Sequence, residues 1–150
     1  MSQNKNNNTV WNTRIKKKTS NIFKKVGSSI EVDKRLYKED ILASVSHAEM
    51  LYKQKIITIK IKDKILWGLK RIQNEIEKKN FKFDENLEDI HMNIESRLFE
   101  LIGNDAGYLH SARSRNDQVV TDLKLWLKKS TVEIDGLLLK LSLIHISEPT

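Results

Sequence analysis

One ten-residue stretch holds most of the side chains with chemistry to offer. Leu109-His110-Ser111-Ala112-Arg113-Ser114-Arg115-Asn116-Asp117-Gln118 brings together two guanidiniums, two hydroxyls, side-chain amides and a carboxylate just ahead of an apolar periodic run. If that run is a helix, its first backbone N–H groups favour an anion. Arginines beside them suit the two-pronged grip on a carboxylate. The chemistry is that of a dicarboxylate or phosphate site. The same residues also make an ordinary helix start with two surface arginines, since Ser114-Arg115-Asn116-Asp117 has the form of a capping box with a shorter acid. The residues alone leave the two readings even.

A second polar cluster, Glu88-Asp89-Ile90-His91-Met92-Asn93, opens another periodic run. Asp89 suits a helix N-terminus by the dipole argument alone. His91 has no cysteine and no histidine at helical spacing beside it, so no metal is expected. His47, among small residues inside a helix, reads as a packed or hydrogen-bonded histidine. Trp67 and Trp126 lie in helical patterns and read as core.

Helices must position these groups. Asp33 is the expected cap of a helix to about Gln54, with Leu36, Tyr37, Ile41, Val45, Ala48 and Leu51 on one face. Ile57, Ile59 and Ile61 alternate as a strand would. Ile61, Ile65, Leu69, Ile72 and Ile76 continue at helical spacing, and the longer pattern predicts a helix from Thr58 to about Lys79. A third helix is expected from about Leu87 to Ile102, with Gly103 as its stop. Gly103 to Arg113 reads as a loop. Val119, Val120, Leu123, Leu127, Ile134, Leu138 and Leu141 then support a long helix from Arg115. The fold class is all-α.

Composition agrees with that class. The 150 residues include one proline, five glycines and no cysteine, with 39% hydrophobic and 31% charged residues. Disulfide scaffolds, thiolate metal sites and cysteine nucleophiles are excluded. The net charge of +7 invites a nucleic-acid reading. However, the first thirty residues carry seven Lys or Arg and no acid, and the remainder holds 20 of each sign. The body is neutral and the excess is a basic arm with few aromatics, which gives base stacking thin support. Neither a nucleic-acid partner nor a membrane is expected, and no apolar stretch approaches the ~20 residues of a span. The alternative of a different class is a small basic helical module that binds nucleic acid or a protein.

Read together, these clusters resemble the argininosuccinate lyase family of the fumarase/aspartase superfamily, and they occur in that family's order. Trp11 and Arg14 resemble its opening Trp-Gly-Gly-Arg-Phe, with Asn12, Thr13 and Ile15 departing from it. Ser28-Ser29-Ile30 and Asp33 to Asp40 resemble its substrate-contacting loop and first helix, with Gly27-Ser28 in place of Asn-Ala. Ser44 to Leu51 resembles Ser-x-x-His-Ala-x-Met-Leu, and Glu88 to Glu95 resembles Glu-Asp-Ile-His-Met-Asn-Ile-Glu. His110 to Gln118 resembles His-Thr-Ala-Arg-Ser-Arg-Asn-Asp-Gln, the first of three signature regions, with Ser111 keeping the hydroxyl of the threonine.

The resemblance implies a cytoplasmic, homotetrameric carbon–nitrogen lyase of arginine biosynthesis. It would cleave argininosuccinate to arginine and fumarate by β-elimination, without cofactor or metal. By the same resemblance Ser29, Arg115 and Asn116 contact substrate, while Asp89, His91, Arg113 and Ser114 support the site. The catalytic serine and histidine belong to the family's other two signature regions, so no catalytic residue is expected in this chain, which reads as a truncated and inactive N-terminal fragment. The expected division is an N-terminal arm and helical domain at 1–114, the first part of a central bundle helix at 115–141, and a non-native tail at 142–150.

Overall fold

The computed structural model describes residues 26–147, with side chains as far as residue 144. Trp11, Arg14 and almost all of the basic arm lie outside the described residues. Among those described, every regular element is helical. The order is α1 (Ile30–Asp33), a 3-10 turn (Lys34–Leu36), α2 (Tyr37–Lys53), α3 (Ile59–Glu77), α4 (Ile90–Ile102), a 3-10 segment (Gly103–His110) and α5 (Arg115–Ser147).

The expected apolar stripes meet in one core. Ile41, Ala48 and Leu51 of α2 pack with Ile65, Leu69 and Ile72 of α3 and with Ile90, Ile94 and Leu98 of α4, all buried. Ile30, Ile57 and Leu109 close the cluster from the connecting segments. Gly68 sets how closely α3 and α4 approach, since a Cβ there would lie 2.4 Å from Cδ1 of Leu98. Trp67 is not core: it is 56% exposed, because its neighbour Gly68, not the indole, faces α4. Trp126 is half-buried.

The helix boundaries follow where side chains go. Thr58 caps α3 as expected, its Oγ1 accepting from the Ile61 N–H at 3.3 Å. Asp33 does not cap α2. Its Oδ1 accepts from the Ile90 N–H at 3.2 Å and its Oδ2 from the Ser29 hydroxyl at 2.6 Å. With that carboxylate engaged elsewhere, the chain is already helical from Ile30 and passes through a 3-10 turn into α2. The third helix begins at Ile90, later than its apolar spacing suggests, because Asp89 is its cap, with Oδ1 accepting from the Met92 N–H at 2.6 Å. Gly103 ends it at φ +68°, a left-handed value that glycine adopts without a Cβ penalty. The segment read as a loop after it is mostly 3-10. Lys55 and Lys79 also take positive φ, each two residues past the end of its helix, α2 and α3 respectively. α5 runs past the expected boundary at 141 to Ser147. Only its first turns are covered: Gln118 and Asp122 are buried, whereas Leu123, Leu127, Ile134, Leu137, Leu138 and Leu141 are each about half exposed.

Candidate functional site

Arg115 bridges the start of α5 to the start of α4, and α1 closes against the latter. The Ser29 N–H donates to the Glu88 carbonyl at 2.8 Å. Together with the Asp33–Ile90 bond, this joins the 29–33 segment to the cap of α4. Burial pushes the Asp33 carboxyl above its ordinary range, with the Asp89 charge adding to it, against the opposing Ser29 hydrogen bond. From the other side, Arg115 on the first turn of α5 points its Nε toward Asp89 Oδ2 at 3.8 Å and its Nη2 at Glu95 Oε2 at 2.9 Å. Ser29, Asp89 and Arg115 are thus linked through a few short contacts. Arg115 is half-buried, so it is not the surface arginine of the simpler reading. Asn116 and Ser114 are exposed at the same helix start. His110, also exposed, approaches Glu95 at 3.4 Å.

Beneath this rim lies a buried polar cluster. His91 is 2% exposed and donates from Nδ1 to Asp40 Oδ1 at 3.0 Å, with Asp122 Oδ2 at 3.4 Å. Gln118 donates to the same Asp40 oxygen at 2.5 Å. Burial opposes charge on both Asp40 and His91, but each offsets it for the other. The His91 hydrogen bond and charge, then Gln118 and Arg113, hold the Asp40 carboxyl below its usual value. Asp40, followed by the charges of Asp89 and Asp122, holds the imidazole above its own. Asp122 goes the other way. Burial first and the Asp40 charge second push its carboxyl up to about 7. Neither Asp122 oxygen nor Asp40 Oδ2 has a hydrogen-bond partner among the described residues.

Arg113 braces the cluster from the connecting segment, its Nη1 donating to the Ser44 hydroxyl at 2.9 Å. His47, hydrogen-bonded as expected, donates from Nε2 to the Ser111 carbonyl at 3.0 Å and holds the same segment against α2. Burial keeps His47 below its ordinary value, against the raising effect of that bond. Asp40, His91 and Asp122 are donor types that can bind a metal, with ligand atoms within 4.8 Å of one another. Here, though, Asp40 Oδ1 already receives two N–H donors, from His91 and Gln118, and the acids beside His91 raise its affinity for a proton. The arrangement is that of a buried histidine hydrogen-bonded to one acid and lying against a second.

The sequence model of the family described as lyase matches residues 13–143. The chain belongs to that lyase family. An argininosuccinate lyase from Pelagibacter ubique is 57% identical over 135 residues, covering 90% of this chain and 29% of the relative. Argininosuccinate lyases from Ehrlichia ruminantium (strain Welgevonden) and Chelativorans sp. are 50% and 47% identical, covering 94% and 90% of this chain. The chain spans 29% and 31% of the length of the first two relatives.

Four members of the lyase chain's polar cluster carried no role in the sequence reading: Asp40, Ser44, Gln118 and Asp122. A signal for them exists. Asp40 and Ser44 stand four residues apart, as do Gln118 and Asp122, and both pairs continue a buried helix face with polar side chains. Glu95 was seen only as part of a motif, yet it is the residue that receives Arg115.

Proposed function

We propose that this chain is the N-terminal part of an argininosuccinate lyase, a cytoplasmic homotetramer that cleaves argininosuccinate to arginine and fumarate. The supporting observation is the placement of Arg115. It stands on the first turn of a 33-residue helix, half-buried, with its fork held by Asp89 and Glu95 and with Ser29 across the same rim. A planar fork at a helix N-terminus suits a carboxylate. No described helix is long and apolar enough to cross a membrane.

In the elimination, a base removes a proton from the carbon beside a succinyl carboxylate. The electron pair is held as an aci-carboxylate and then forms the double bond of fumarate. The C–N bond breaks, and an acid protonates the departing guanidino nitrogen to give arginine. Residues of this chain would bind rather than transfer protons: Arg115 and Asn116 clamp a carboxylate, Ser29 closes over it, and Asp89 aligns the fork. His91, Arg113 and Ser114 keep the two helix starts in register. Stabilising charge that grows along the reaction is where such clamps act most strongly. Residues 1–114 form the arm and helical domain in this reading, and 115–141 begin the bundle helix. The base and acid come from regions outside this chain.

The test is a chimaera in which residues 13–143 replace the matching segment of the Pelagibacter ubique relative. Fumarate release, followed by ultraviolet absorbance, is expected from the chimaera and not from the 150-residue chain alone. A folded chimaera without activity, or turnover by the chain alone, overturns the assignment.

A further inference from the structure

Gln118 joins the exposed rim to the buried cluster. It is 3% exposed, with Nε2 donating to Asp40 Oδ1 at 2.5 Å and Oε1 accepting from Arg115 Nη1 at 3.1 Å. Its partners dictate the orientation of the amide. A carboxylate only accepts and a guanidinium only donates, so a flipped amide would set oxygen against oxygen and NH2 against N–H. Few side chains satisfy both ends. A glutamate has nothing to donate to ionised Asp40, and a lysine has nothing to accept from Arg115.

Asp40 is itself immobilised, buried on α2 and bonded to His91 of α4. The order His91–Asp40–Gln118–Arg115 therefore runs from the core to the helix start. On Arg115, Nε faces Asp89, Nη2 bonds Glu95 and Nη1 bonds Gln118. Without Gln118, only the two acids would hold the guanidinium, and both lie on the α4 side.

We propose that Gln118 is the positioning residue of the substrate-binding arginine, anchoring Nη1 of Arg115 to the Asp40–His91 pair so that its remaining N–H groups stay aligned for a substrate carboxylate. This rests on the role given to Arg115 above. Gln118 touches no reacting atom and acts only through the fork.

The chimaera provides the test, as a double-mutant cycle of Gln118→Met and Arg115→Lys. Gln118→Met keeps the side-chain length but removes both hydrogen bonds. We expect kcat/KM to fall roughly tenfold, mostly through KM, and to fall no further when Gln118→Met is added to Arg115→Lys. A merely structural glutamine would instead add its full loss on the Arg115→Lys background, and that result overturns the proposal, as does a Gln118→Met enzyme with unchanged kcat/KM. Should Arg115→Lys itself be silent, the role of Arg115 is what fails. A second readout needs no activity: in the 150-residue chain, 15N spectra should show hindered rotation of the Arg115 guanidinium that Gln118→Met releases. Rotation of equal rate in both chains counts against the anchor.

Discussion

His91 donates to Asp40 across 51 residues of sequence, with both side chains almost wholly buried. The bond links α4 to α2 beneath the rim that carries Asp89 and Arg115. It also gathers charge, because Asp122 from α5 lies against the same imidazole and Arg113 and Gln118 reach the same acids. The motif histidine is a buried pin between three helices, held by Asp40 and lying against Asp122.

Stability should therefore depend on pH with a definite sign. Asp122 is held up to about 7 and His91 above its ordinary value. Each contributes stability that is complete at low pH and lost as pH rises through its folded-state value. Asp40, held below its usual range, contributes above about 4 and loses that contribution in acid. The melting temperature of the chain should peak at about pH 4–5 and decline from there to about pH 7, the interval between the unfolded and folded values of Asp122. Asp122→Asn should flatten the decline, gaining about 1–2 kcal/mol at pH 8 relative to pH 5. Thermal melts of both chains across that range decide it. Parallel curves would mean that Asp122 is ionised in the fold.

Gly68 carries a packing prediction. Alanine would gain roughly 1 kcal/mol of helix propensity. Its Cβ would however lie 2.4 Å from a methyl of fully buried Leu98, so the leucine must shift. Overpacking of this kind costs about 1–3 kcal/mol. Gly68→Ala should be destabilising by about 1 kcal/mol, and Gly68→Ala with Leu98→Val should recover part of the loss. Urea unfolding midpoints measure both. A Gly68→Ala chain more stable than the parent would show that α3 and α4 separate easily.

The exposed face of α5 predicts association. Leu123, Leu127, Ile134, Leu137, Leu138 and Leu141 lie about half exposed along several turns. Together they leave a contiguous apolar stripe of the kind that marks an association surface. Sedimentation at tens of micromolar, roughly the range where exposed apolar surface drives aggregation, should show species larger than the monomer. Leu127→Glu with Ile134→Glu should shift the distribution back. A monodisperse parent monomer would contradict the expectation.

Much of this architecture was legible in the sequence, for reasons that particular residues make plain. Ile65, Leu69 and Ile72 repeat at helical spacing for long enough to outweigh the short alternation at Ile57 to Ile61. Thr58 and Gly103 mark helix ends by local chemistry alone. Asp33 was misread because its hydrogen bond runs to Ile90, far along the chain, and no local rule sees such a partner. Trp67 was misread because its neighbour Gly68 occupies the contact with α4. For the candidate site, Arg115, Asp89 and Ser29 could be named from motifs, whereas Asp40, Gln118 and Asp122 showed only as polar residues on otherwise apolar helix faces. Their roles depend on three helices converging, and a single polar residue on a buried face does not reveal its partner.

The start of α5 separates clamping from capping. Ser114 immediately precedes the helix, and its carbonyl accepts from the Gln118 N–H at 3.1 Å. Ser114→Ala should therefore cost about 1 kcal/mol of stability if its hydroxyl serves as a cap. Arg115→Lys keeps a positive charge near Asp89 and Glu95 but cannot reproduce a three-sided fork. In the chimaera it should reduce kcat/KM by an amount equivalent to roughly 2–4 kcal/mol, the scale of one preorganised charge-stabilising contact. Its melting temperature should move little, since partly exposed ion pairs contribute about 0–1 kcal/mol. Steady-state kinetics and melting curves for both variants distinguish the roles. Arg115→Lys with near-parental kcat/KM would leave Arg115 as a structural partner of Glu95. The combination of lost activity and retained stability assigns its fork to the substrate.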